Sequence, residues 1–126
     1  MDDRHWNDKT ILIVEDEANN HFYMEEVLSD SHAVLRHAWN GKEAVEEVKE
    51  HPEISLVLMD IKMPVMDGYE ATQLIKQIRP ELPVIAQTAF ALSHDKEHSL
   101  QAGFDNYIAK PISVDALLEV VGDYLK

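Results

Sequence analysis

Several residues able to do chemistry stand directly behind apolar runs in this chain. Glu15 and Asp16 follow TILIV, Asp60 follows ISLVLM, Thr88 follows VIAQ and Lys110 follows NYIA. A carboxylate at the end of a buried run loses water on one side. Three of them together repel one another and raise each other's pKa unless a cation lies among them. Oxygen ligands alone, with no His or Cys at matching positions, favour a hard ion, Mg2+ or Mn2+, that keeps several waters. A lysine and a hydroxyl opposite that ion are what an incoming phosphoryl group requires, because its charge must be held from both sides. A carboxylate can act as the nucleophile and form an aspartyl phosphate. Asp60, central among these strand ends, is the candidate.

That chemistry needs elements which deliver all five side chains to one edge. TILIVED (10–16), HAVLRHAW (32–39), ISLVLMD (54–60), LPVIAQT (82–88) and DNYIAK (105–110) read as strands, being short, apolar and rich in β-branched residues. Between them lie helical patterns: Tyr23, Met24, Val27 and Leu28 on one face, then Ala44, Val45 and Val48, then Leu74, Ile75 and Ile78 stopping before Pro80. A polar helix is expected from about Ser93 to Ala102, closed by Gly103. A last one carries Val114, Leu117, Leu118 and Val121 behind Ser113 as N-cap. Near-continuous apolar strands alternating with helices imply a parallel sheet covered on both faces. Right-handed crossovers then give a doubly wound α/β domain, whose ligands bind outside the carboxyl ends of the strands. All five chemistry-bearing positions fall at that edge.

The bulk numbers exclude other classes. A chain of 126 residues is one ordinary domain, and 45% apolar with 28% charged residues is a globular composition. No cysteine is present, which removes disulfides and thiolate metal sites and fits a reducing compartment. Neither a membrane-length apolar run nor a signal-peptide pattern is seen, so a cytoplasmic location without membrane contact is expected. Eleven basic against 24 acidic residues, a net charge of −13, argue against direct nucleic-acid binding. Residues 1–8 read as a tail or linker remnant, leaving 9–126 as the domain.

Taken together, VED (14–16), LVLMDIKMPVMDG (56–68), QTAFA (87–91) and YIAKPI (107–112) make the chain resemble a response-regulator receiver domain. The resemblance covers nearly all of residues 9–126 and is closest to receivers of hybrid sensor histidine kinases. It implies a flavodoxin-like (βα)5 sandwich with strand order 2-1-3-4-5, and phosphoryl transfer to Asp60 from a phosphohistidine on a histidine kinase or histidine phosphotransfer domain. It further implies Mg2+ held by Asp16, Asp60, the main-chain oxygen of Lys62 and, through water, Glu15. Phosphate would be bound by Lys110, the Thr88 hydroxyl and the Ala89 amide. Thr88 and Tyr107 would form the switch, the Lys110–Pro111 peptide would be cis, and a phosphorylation-dependent dimer is allowed. The isolated domain is then no conventional enzyme.

Each position also admits a blander reading. Asp60 as a turn cap, Glu15 and Asp16 as a helix-start charge pair, Lys110 as a surface lysine and Thr88 as strand filler each explain one residue but not their convergence. His94 and His98, spaced i, i+4, read as a solvated helix face, and the other five histidines show no paired spacing. Two other classes compete. An aspartyl phosphatase commonly places a second acid two residues after its nucleophile, where this chain has Lys62. A degenerate receiver used only as a binding module would have lost an acid, Thr88 or Lys110. A dinucleotide-binding domain fails because VEDEANN after the first strand offers no glycine for a pyrophosphate.

Overall fold

The computed structural model describes residues 6–61, 63, 65–88 and 103–125. Strands β1 (Thr10–Val14), β2 (Val34–Ala38), β3 (Ile54–Asp60), β4 (Val84–Thr88) and β5 (Asn106–Ala109) alternate with helices α1 (Ala18–Ser29), α2 (Gly41–Glu50) and α3 (Gly68–Ile78), and α4 (Val114–Tyr124) follows β5. All pairings are parallel and the order is β2-β1-β3-β4-β5. This is the doubly wound sheet with the expected order. β3 coincides with its apolar run, β1 and β5 stop one residue short of Glu15 and Lys110, and β2 and β4 begin two residues later than their runs. The helix expected over about 93–102 lies outside the described residues, whereas Gly103 adopts a positive φ of 106°.

Side-chain alternation along each strand divides the core in two. Leu12, Val14, Val57, Met59, Val84 and Ala86 pack with Ala44, Val45, Val48, Ala71 and Ile75 of α2 and α3. Ile11, Ile13, Leu56, Leu58, Ile85 and Ile108 pack on the other face with Met24 and Leu28 of α1 and Leu117 and Val121 of α4. Fully burying one such Leu or Met stabilises the fold by about 1.5–3 kcal/mol. These two layers hold the central strands rigidly and so fix where their ends lie.

Two expectations need correction. Trp6, placed by its sequence in a tail, is buried against the α1/α4 layer and donates its amide to Ser31 O at 2.7 Å. The helix faces are also shifted. α1 buries His21, Met24 and Leu28 while Tyr23 stands at the surface, and α3 buries Ala71, Thr72 and Ile75 while Ile78 is exposed. On α4, Leu117 and Val121 are buried but Val114 is exposed. Tyr23 instead uses its polar tip, its hydroxyl donating to Ile112 O at 2.8 Å.

The helix starts are well made. Asn40, Asp67 and Ser113 each accept a backbone N–H three residues on, from Glu43, Glu70 and Ala116. Among the described residues, no helix is long and apolar enough to cross a membrane.

Candidate functional site

The carboxyl ends of β1, β3, β4 and β5 bring the expected residues to one edge. β1 and β3 are in register at Val14 and Met59, so Glu15 and Asp60 follow at the same height, and Asp60 pairs with Gln87 of β4. Thr88 pairs with Ala109, and the Lys110 amide donates to Thr88 O at 2.7 Å. One carboxylate oxygen each from Glu15, Asp16 and Asp60 lies within 4.8 Å of the others. Glu15 and Asp60 are buried, while Asp16 is exposed. Lys110 Nζ reaches into this cluster, 3.0 Å from Asp60 Oδ1 and 3.9 Å from Glu15 Oε2. The Lys110–Pro111 peptide is cis.

The electrostatics express the burden of that cluster. Burial first, and the Asp60 charge second, push the Glu15 carboxyl up to about 7, against the opposing pull of Lys110. Asp60 is also raised, again chiefly by burial, with Lys110 pulling the other way and Asp16 adding to the rise. Glu15 Oε2 is buried without a hydrogen-bond partner among the described residues. One ammonium does not balance three acids whose oxygens converge in this way. The donor set is all oxygen, lies at a strand edge open to water on the Asp16 side, and fits a hard divalent cation.

The main chain that carries Asp60 is held from below. A Cβ added at Gly68 would come within 2.4 Å of Asp60 O, and one added at Gly41 would come within 2.4 Å of Met66 O. The loop therefore passes through two contacts that admit no side chain. Gly68 N donates to Ile61 O at 2.8 Å and Gly41 N to Met66 O at 3.2 Å, which binds the loop to the starts of α3 and α2. The Asp67-Gly68 pair was legible as the end of the loop, but its close approach to Asp60 was not.

Of the expected site residues, Glu15, Asp16, Asp60, Thr88 and Lys110 converge, while Lys62 and Ala89 lie outside the described residues. Tyr107 is half-buried and packs on the α2/α3 layer; its register partner is Ala86, two residues before Thr88, so Tyr107 and Thr88 belong to one sheet face. One group was missed entirely. His37 of β2 places Nε2 2.9 Å from Glu15 O and stacks on His21 of α1. The two histidines are distant in sequence, so their pairing left no spacing signal. His94 and His98 lie outside the described residues.

Fold and site together make an acid cluster with one lysine at the carboxyl edge of a doubly wound sheet. The chain belongs to the response regulator receiver domain family, which it matches over residues 11–122, and it is a receiver domain of two-component systems. It is 39% identical over 121 residues to the polar-differentiation response regulator DivK of Brucella anthropi, covering 93% of this chain and 96% of that protein. To the sensor histidine kinase GacS of Pseudomonas protegens it is 37% identical over 116 residues, covering 88% of this chain. The chain spans only 12% to 17% of the length of such larger relatives.

Among solved structures, it is similar to the receiver domain of the sensor histidine kinase PA1611 of Pseudomonas aeruginosa, which has a magnesium ion coordinated in its active-site cleft. The TM-score is 0.84 at 34% identity, over 93% of this chain and 97% of that one. A second similar structure is the Saccharomyces cerevisiae co-crystal of the histidine phosphotransfer signaling protein Ypd1 with the receiver domain of its downstream response regulator Ssk1. There the TM-score is 0.88 at 28% identity, over 93% of this chain and 88% of that one.

Proposed function

We propose that Asp60 is the phosphoacceptor of this receiver, taking a phosphoryl group from a phosphohistidine on a histidine kinase or histidine phosphotransfer protein. The observation that carries the reading is Lys110 Nζ at 3.0 Å from Asp60 Oδ1, inside a cluster in which Glu15, Asp16 and Asp60 converge within 4.8 Å. An electron pair of the Asp60 carboxylate attacks phosphorus, the N–P bond breaks, and the imidazole leaves with the bonding pair and takes a proton. Lys110 would follow the negative charge from the carboxylate onto the phosphoryl oxygens. The Thr88 hydroxyl, at the end of the neighbouring strand, would bond to one of them. Mg2+ (or Mn2+) would be held by Asp16, Asp60 and the Lys62 main-chain oxygen, with Glu15 acting through water, and Ala89 would add an amide to the phosphate. When bound, the ion supplies positive charge against the phosphoryl oxygens. The domain carries out this transfer on itself and turns over no separate substrate.

The reading extends to output. Added negative charge at Asp60 draws the Thr88 hydroxyl inward, and Tyr107, on the same sheet face, moves into the space released. The surface around β5 and α4 then changes for a partner, a cytoplasmic protein or a second receiver. The likeness to GacS and PA1611 supports a receiver joined to a sensor kinase. The 96% coverage of DivK supports a second reading, a receiver acting as a chain of its own.

The test is intact mass after treatment with acetyl phosphate. One phosphoryl group is expected with Mg2+, none with EDTA and none on Asp60→Asn. Equal labelling of Asp60→Asn, or labelling undiminished by EDTA, would overturn the assignment.

A further inference from the structure

At the edge next to the acid cluster, the β1–β2 ladder ends early. Glu15 N still donates to Ala38 O at 3.1 Å, but β2 then turns away into α2, and Trp39 N donates instead to Glu43 Oε1 at 2.8 Å. The Glu15 carbonyl takes its bond from a side chain, His37 Nε2 at 2.9 Å. An imidazole nitrogen facing a carbonyl oxygen must carry the hydrogen, so His37 is a donor there whether neutral or protonated. Its ring has little freedom. The His21 ring stacks on it at 3.5 Å with 13° between planes, and the Trp39 ring meets it edge-on at 4.1 Å. His21 is itself buried on α1. Burial, then the neighbouring His37, hold its imidazole below the ordinary value, against the opposing pull of Glu25.

We propose that His37 is a positioning residue for the metal-binding acid pair: its Nε2–H, locked by the His21 stack, fixes the Glu15 carbonyl and so aims the Glu15 and Asp16 carboxylates at Asp60. The inference rests on the proposed Mg2+ reading of the site. Glu15 and Asp16 lie between the end of β1 and the start of α1, at Ala18. α1 has no side-chain cap at Glu17. A change in the backbone torsion between Glu15 Cα and its carbonyl would swing Asp16 away from Glu15 and Asp60, and the bond from His37 opposes it. Groups one step behind the ligands commonly set metal affinity in this way.

The test separates donor from packing. His37→Phe keeps an aromatic ring for the stack but has no donor, whereas His37→Gln gives up the ring but carries an amide N–H2 at nearly the height of Nε2. Mg2+ titrations followed by the Glu15 and Asp16 amide resonances should show affinity weakened roughly tenfold by Phe and largely restored by Gln. Urea unfolding checks that each variant is folded, and His37→Leu carries the same comparison should Phe fail to fold. Donor-free variants that bind Mg2+ as tightly as wild type, or a Gln variant no better than they are, would overturn the role of His37. Absence of saturable Mg2+ binding by wild type would overturn the metal reading itself, and this inference with it.

Discussion

Replacing Glu15 with glutamine should stabilise the metal-free protein, by an amount that grows with pH. The Glu15 carboxyl is held at about 7 in the folded chain against an ordinary 4.5, first by burial and second by Asp60. Between those values the folded state retains a proton that the unfolded chain has released. Stability contributed by this group is therefore present at low pH and lost as pH rises toward 7. At about 1.4 kcal/mol per pH unit, the interval corresponds to about 3 kcal/mol. About 2 kcal/mol of that falls between roughly pH 5.5 and 8.5. Glutamine has nearly the same shape and never ionises, so Glu15→Gln escapes the loss. Urea unfolding of both proteins in EDTA, across that range, should show the gap in stability widening in favour of the variant. Saturating Mg2+ at the upper end should narrow it, because a cation among the acids removes the cause. A gap that stays constant with pH, or that Mg2+ leaves unchanged, would refute the account of Glu15 as a buried charge awaiting a counter-ion.

Three further outcomes follow from the geometry. Gly68→Ala forces a Cβ to within 2.4 Å of Asp60 O; it should cost about 3 kcal/mol in urea unfolding and slow labelling of Asp60 by acetyl phosphate. Ser113→Ala removes the cap that accepts from Ala116 N at 3.1 Å. It should cost about 1 kcal/mol, with labelling unchanged. In Thr88→Ala, a beryllofluoride mimic should move amide resonances around Glu15, Asp16 and Asp60 but no longer reach residues 105–110, as it does in wild type. Equal spread in both proteins would remove Thr88 from the switch.

The fold and the convergence of Glu15, Asp16, Asp60, Thr88 and Lys110 were legible because four of the five apolar runs lead directly into those residues. ISLVLMD is β3 itself, Asp60 included. Burial of both sheet faces makes such strands continuous in sequence, so their polar ends stand out. Helix faces were less legible. Ile78 and Val114 fit the apolar stripes of α3 and α4, but they lie at the end of one helix and the start of the other and are exposed. Trp6 read as tail because a single aromatic between polar neighbours carries no period, although its ring fills a place in the core. The His21–His37 stack depends on α1 crossing over β2, a tertiary contact with no local pattern. Glycine contacts are similarly silent: only the packing reveals what Gly41 and Gly68 each exclude.

Those two glycines leave no clearance at Asp60 O and at Met66 O, and this limits how the backbone there can be altered. At these two points the chain cannot move toward the helices, because Asp60 O already meets Gly68 of α3 and Met66 O already meets Gly41 of α2. Side chains that face outward between the two contacts remain open to exchange. Val65, exposed there and held at a positive φ of 71°, is one such position. The strand pairing on either side sets the height of the Asp60 carboxylate, and the two glycine contacts hold the chain beyond it against that setting.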